Sequence, residues 1–74
     1  MVDFNKIDWD AVKEDLINDN RNQEIWALGG SEFAEMNIMK NNLLITHIDN
    51  EEYESFVRLL DADDSWFDDY LEDE

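Results

Sequence analysis

The chain has 74 residues, no cysteine and no proline, and 21 Asp and Glu against five Lys and Arg give it a formal net charge of −16. That length leaves room for one domain, with a radius of gyration of about 11 Å if compact, and the absence of cysteine excludes a disulfide staple or a thiolate zinc site and fits a reducing compartment such as the cytoplasm. So negative a chain is repelled by nucleic acid and by anionic lipid, so direct binding to DNA, RNA or a membrane surface is not expected.

The charge does not mark a disordered acidic tail. Hydrophobic residues make up 43% of the chain, with four Phe, three Trp and two Tyr among them, whereas disordered acidic segments are poor in aromatics. A net charge well beyond the roughly 2–8 that keeps a small domain soluble costs stability through self-repulsion. A chain that carries that cost is expected to use it. The N-terminus Met1-Val2-Asp3-Phe4-Asn5-Lys6 has no basic region followed by an apolar run, and no stretch approaches a membrane span, so neither a leader nor a membrane helix is expected.

A first helix is predicted over residues 8–20. Asp8 is placed as its cap, Ile7 and Val12 as a hydrophobic staple, and Trp9, Val12 and Leu16 as an apolar stripe with Ile17 at its edge. The outer face offers Asp10, Glu14, Asp15 and Asp19 against Lys13. The run Asn18-Asp19-Asn20-Arg21-Asn22 is expected to end the helix, because such side chains compete for the backbone.

In the middle, Gly29-Gly30 and Asn41-Asn42 separate three apolar-rich stretches at hairpin-like spacing. Read as two-residue turns, they give a three-stranded meander over residues 24–48 in which Ala34, Met36 and Ile38 share a face with Ile25, Leu43 and Ile45. Trp26 and Phe33 would then lie on the outer face, covering the first helix or forming a homodimer contact. The competing reading is a helix beginning at Ser31, since Glu, Ala and Met favour helix.

The acidic last third interleaves carboxylates with large apolar side chains. Tyr53, Phe56, Val57 and Leu60 follow helical spacing, and so do Trp66, Phe67, Tyr70 and Leu71. Asp49 followed by Glu52 resembles a capping box, with Ile48 and Tyr53 as the staple, and predicts a helix over residues 50–60. Asp61-Ala62-Asp63-Asp64-Ser65 breaks it, and a short helix over residues 65–71 follows, with fraying final residues. The predicted fold class is therefore α+β: one small domain over residues 1–74 with an N-terminal helix, a short antiparallel β-meander and two C-terminal helices. The alternative is an all-α helical bundle.

No catalytic constellation is visible. His47 is the only histidine and has no triad or metal partner, Gly29-Gly30 lacks the context of a phosphate loop, and carboxylates are too abundant for any pair to stand out as acid and base. Asp61, Asp63, Ser65, Phe67, Asp69 and Glu72 fall at positions 1, 3, 5, 7, 9 and 12 of an EF-hand loop, but Trp66 occupies position 6, where the turn requires glycine. No metal, no cofactor and no enzyme activity are expected.

What remains is the charge. Residues 41–74 contain twelve acids and the single base Arg58, so internal salt bridges cannot neutralise them. Carboxylates three or four apart on a helix stand about 5–6 Å from one another, in rows comparable with duplex phosphates. In size, charge and aromatic content the chain, and residues 49–74 most plainly, resembles the small acidic DNA-mimic proteins of phages and mobile elements. That class includes antirestriction proteins, anti-CRISPR proteins and inhibitors of uracil-DNA glycosylase.

The resemblance implies a stoichiometric inhibitor that acts in the host cytoplasm and occludes the groove of a basic nucleic-acid-binding host protein. The contact residues expected are Asp61, Asp63, Asp64, Asp68, Asp69 and Glu72, with Glu51, Glu52 and Glu54 as a second row and Trp66 and Tyr70 as aromatic anchors. Reversing Asp63, Asp64, Asp68 and Asp69 to lysine is expected to abolish inhibition and leave the fold intact. Two other classes share the charge: an immunity or antitoxin protein neutralising a basic nuclease, and an adaptor inhibiting a polymerase or sigma factor.

Overall fold

The computed structural model describes residues 3–72. Three α-helices, α1 (Trp9–Leu28), α2 (Glu32–Asp49) and α3 (Tyr53–Leu60), are flanked by short 3-10 helices over Phe4–Lys6 and Asp64–Tyr70. Helices α1 and α2 form the main hairpin, α3 packs on α2, and the second 3-10 helix returns to α1.

The architecture corrects the expected α+β class. No strand is formed among the described residues, and the only sheet-like pairing is an isolated antiparallel bridge between Ile7 and Leu71. Residues 24–48 are not a meander: Asn41-Asn42 lies inside a continuous helix, and the alternative start at Ser31 is the one adopted. The Ser31 hydroxyl accepts the Ala34 N–H at 3.2 Å. Consequently Ala34 is buried while Met36 is exposed, Trp26 and Phe33 lie on helices rather than on a sheet, and His47 sits in the last turns of α2.

Helix α1 begins as expected, with the Asp8 carboxylate accepting the Ala11 N–H at 3.2 Å, and both staple residues Ile7 and Val12 are buried. It does not end at Asn20. It continues to Leu28, because the polar run finds partners on α2: the Asn41 Nδ2 donates to Asp19 Oδ2 at 2.8 Å and to Asn20 Oδ1 at 3.0 Å, and Asn20 Nδ2 donates to Asn42 Oδ1 at 3.0 Å.

All three helices close through the same paired backbone bonds. At the end of α1, Ser31 N–H reaches the Trp26 carbonyl and Gly30 N–H the Ala27 carbonyl, at 3.1 and 3.0 Å. Glu52 and Glu51 repeat the pattern onto His47 and Ile48, and Ala62 and Asp61 onto Val57 and Arg58. This is the Schellman arrangement, which needs one residue at positive φ. Gly30 takes it at 92°, Glu51 at 59° and Asp61 at 54°. Helix α3 accordingly starts at Tyr53 rather than at residue 50, and the expected capping box is not formed, because Asp49 is still part of α2 and Glu52, the cap, makes no side-chain capping bond. The end of the helix expected over residues 65–71 does not fray: the 3-10 helix closes at Tyr70, whose carbonyl accepts the Asp8 N–H, and Leu71 bridges to Ile7.

The core sits towards one end of the hairpin. Ile7, Val12, Leu16, Leu44, Ile48, Phe56 and Phe67 are buried together, with Trp9, Trp66 and Tyr70 packed against this cluster and Tyr53 stacked on Trp9. The other end of the hairpin projects beyond them. The radius of gyration is therefore 13.2 Å and the extents are 43 × 21 × 21 Å, larger than a compact chain of this length would have.

Candidate functional site: an acidic face on an aromatic core

Seven of the nine aromatic side chains gather at one end of the molecule. Trp9 is their centre: it stacks on Tyr53 with ring centroids 4.2 Å apart, meets Phe56 edge-on at 5.2 Å and Phe67 at 5.8 Å, and its indole N–H donates to the Phe4 carbonyl at 3.0 Å. Trp66 adds contacts to Phe56, Phe67 and Tyr70 at 5.8, 4.9 and 5.3 Å. Edge-to-face and offset pairs of this kind stabilise beyond their buried area. They also fix the backbone on which the carboxylates stand.

Two backbone bonds fasten the C-terminal segment to the start of the chain. Asp8 N–H donates to the Tyr70 carbonyl at 2.7 Å, and Glu72 N–H donates to the Lys6 carbonyl at 2.8 Å. The Tyr70 hydroxyl donates to Asp15 Oδ2 at 2.6 Å. Partial burial, and then this bond to a carboxylate, raise the Tyr70 pKa to about 12. Acids of α1 and acids of residues 61–72 thereby meet on one surface.

The expected contact residues divide into three kinds. Asp61, Asp64, Asp68, Asp69 and Glu72 are exposed, as are Glu51, Glu52 and Glu54. Asp63 is exposed but engaged: its carboxylate accepts the Ser65 hydroxyl at 2.7 Å and the Trp66 N–H at 3.1 Å, and these bonds, the hydroxyl first, hold its pKa below the usual carboxylate value. It caps the 3-10 helix, so reversing it to lysine would disturb the fold as well as the charge. Trp66 and Tyr70 are half-buried in the aromatic cluster and are in part structural.

Glu51, Glu52 and Glu54 form a separate edge. With Phe4, Tyr53 and Ser55 they line a shallow groove of about 400 Å³. Glu52 Oε1 also accepts from the His47 Nδ1–H at 3.1 Å, which gives His47 a partner just past its helix end rather than a catalytic setting. The spacing that resembles a calcium loop winds into the 3-10 helix, with Phe67 buried in the core. No group of three or more side chains that could hold a metal occurs among the described residues.

The charge is distributed along the long axis. Residues 21–43, the projecting end of the hairpin, hold Glu24, Glu32 and Glu35 against Arg21 and Lys40, a net −1 of the total −16, and the remaining −15 belongs to the rest of the chain. Among the bases outside the projecting end, Lys13 is paired with Asp49 at 2.6 Å. Sequence reasoning placed the acids of the first helix and those of the last segment on separate elements. The contact between Asp15 and Tyr70, 55 positions apart, has no local signal.

No protein-family model, no curated protein and no solved structure matches this chain. No helix of the described residues is long and apolar enough to cross a membrane.

Proposed function

We propose that this protein is a stoichiometric inhibitor whose acidic face takes the place of nucleic-acid phosphates in the groove of a basic host defence or repair protein, in the cytoplasm. The observation that carries the reading is the concentration of a net −13, counted over the described residues, outside the projecting hairpin end and on a surface built over an aromatic core. Carboxylates held by folded backbone present a preorganised field, which raises association rates with a cationic groove and needs no base sequence. Half-exposed Trp66 and Tyr70 supply apolar contact within that field, as anchors at interfaces do.

A second feature supports the same reading. Glu51 and Asp61 hold positive-φ positions at helix ends that glycine would fill with less strain. Each costs about 1 kcal/mol relative to glycine and keeps a carboxylate on the acidic surface.

The test is inhibition of DNA-cleaving and DNA-binding enzymes titrated with the protein at low and at high ionic strength. The triple variant Asp68→Lys/Asp69→Lys/Glu72→Lys, which spares the cap Asp63, is titrated alongside. A one-to-one endpoint, weakening with salt and loss in the triple variant are expected. Indifference of every cationic nucleic-acid-binding protein offered at low ionic strength overturns the reading.

A further inference from the structure

Helix α2 is apolar on two sides. Ala34, Asn41, Leu44 and Ile48 face the interior, whereas Phe33, Met36, Met39 and Leu43 point away from it and are 74, 68, 67 and 53% exposed. The second face borders Leu59 of α3 and forms a concave surface of about 380 Å³. At 100° per residue, Glu32, Met36 and Lys40 form one ridge along the middle of this face, since residues four apart stand one above the other.

From this geometry we infer that the face docks a second copy of the chain, in an antiparallel two-fold contact centred on Met36. A two-fold axis through Met36 brings residue 32 of one copy opposite residue 40 of the other, twice, so that each Glu32 meets the other copy's Lys40. Within one chain the two are about 12 Å apart along the helix, and neither is paired with another described residue. The ridge is therefore complementary to itself.

Area and charge agree with this occupant. The four exposed side chains present roughly 500 Å² of apolar surface, at the upper end for a monomer's largest patch. With its polar rim, two such faces approach the ~1,200 Å² at which specific interfaces begin. The projecting end carries a net −1, so two copies meet where repulsion is least and hold their acidic ends apart. A cationic partner finds almost no field there.

The contact does not depend on the inhibitory reading, and its salt response is opposite: screening of like charges strengthens the dimer, while it weakens binding to a cationic groove. Sedimentation equilibrium at moderate ionic strength is expected to show twice the 8.8 kDa mass of one chain, with dissociation on the order of micromolar. Glu32→Lys and Lys40→Glu should each weaken the dimer roughly tenfold or more. The double exchange, or an equimolar mixture of the two single variants, should restore it.

Glu32→Lys is decisive, because it lowers the net charge and would strengthen any association limited by overall repulsion alone. Met36→Asp should give a monomer with unchanged helical circular dichroism. A wild-type mass of one chain at ~1 mM, or dimers indifferent to all these changes, overturns the inference.

Discussion

The Nδ2 of Asn41 donates to Oδ2 of Asp19 at 2.8 Å across the α1–α2 interface, and the same amide reaches Asn20 Oδ1 at 3.0 Å. Asn41 is the one polar residue buried among the described residues, and no buried side-chain polar atom among them is left without a partner. A buried amide satisfied on both sides fixes how the two helices slide past one another, because any shift leaves it unpaired. Asn41→Ala should therefore lower stability by about 1–3 kcal/mol, a fall in melting temperature of about 4–8 °C per kcal/mol for a domain of this size. Asn41→Leu, which fills the space, should cost less. Urea midpoints of the two variants distinguish a hydrogen-bond effect from a packing effect.

The same contact explains where sequence reading failed. Asn18-Asp19-Asn20-Arg21-Asn22 and Asn41-Asn42 both carry turn chemistry, and local propensity reads both as breaks. In the fold they face one another and satisfy one another across 21 and 22 positions, so tertiary pairing overrides the local signal. Ends with their own local chemistry were legible at Asp8 before α1 and at the Asp61 break after α3, whereas Gly29-Gly30 was read as a turn between strands and is the stop of α1. The apolar alternation over residues 33–45 reads as a strand because α2 is apolar on both sides. A helix with two apolar faces loses the single stripe from which its period is recognised.

Phe56 is fully buried and touches Trp9, Trp66 and Phe67. Phe56→Ala should cost about 3–5 kcal/mol, the range for removing a buried ring. Domains have only about 5–15 kcal/mol in total, and small ones stand low in that range, so the variant should be largely unfolded at low salt. Added salt should recover part of its helical circular dichroism by screening self-repulsion. Unchanged ellipticity and melting would show that the aromatic cluster is not what holds the acidic end together.

Glu51 and Asp61 stand at φ 59° and 54°, each completing a helix end. Glycine at either position should stabilise the protein by about 0.5–1 kcal/mol, since it adopts that conformation without the Cβ clash. The same changes remove two carboxylates from the acidic surface and should weaken inhibition of a cationic partner. Stability and binding would thus move in opposite directions in one variant. Paired melting and inhibition curves for Glu51→Gly/Asp61→Gly measure both.

Part of the acidic face was legible and part was not. The exposed acids from Asp61 to Glu72 follow from composition, but the cap role of Asp63 depends on a 3-10 turn that places Ser65 and Trp66 against its carboxylate. Because those bonds lower the Asp63 pKa in the fold, they stabilise above the unfolded value of 3.8, and the contribution is lost as the pH falls through the lower, folded value. Trp66 fluorescence should therefore change on acidification below about pH 4. In Asp63→Asn the carboxylate's part of that transition should be absent.

At the alkaline limit the sign reverses, and Tyr70 governs it. Its hydroxyl donates to Asp15, and burial with that bond raises its pKa from 10.0 to about 12. A group whose folded pKa lies above the unfolded one stabilises fully below the unfolded value, and the contribution is lost as the pH rises through the folded value. Stability should hold to about pH 10 and then fall between about 10 and 12, as unfolded chains release the proton that folded chains retain. Absorbance of ionised tyrosine, followed with circular dichroism, should show Tyr70 titrating late and together with loss of helix. Tyr70→Phe should remove the late titration and lower neutral-pH stability by about 1 kcal/mol, the usual worth of one hydrogen bond. It should also loosen the C-terminal segment from α1, read as faster amide exchange at Asp8 and Glu72, whose N–H groups bond across that junction. Ionisation of Tyr70 without an upward shift would mean that the Asp15 contact is not populated in solution.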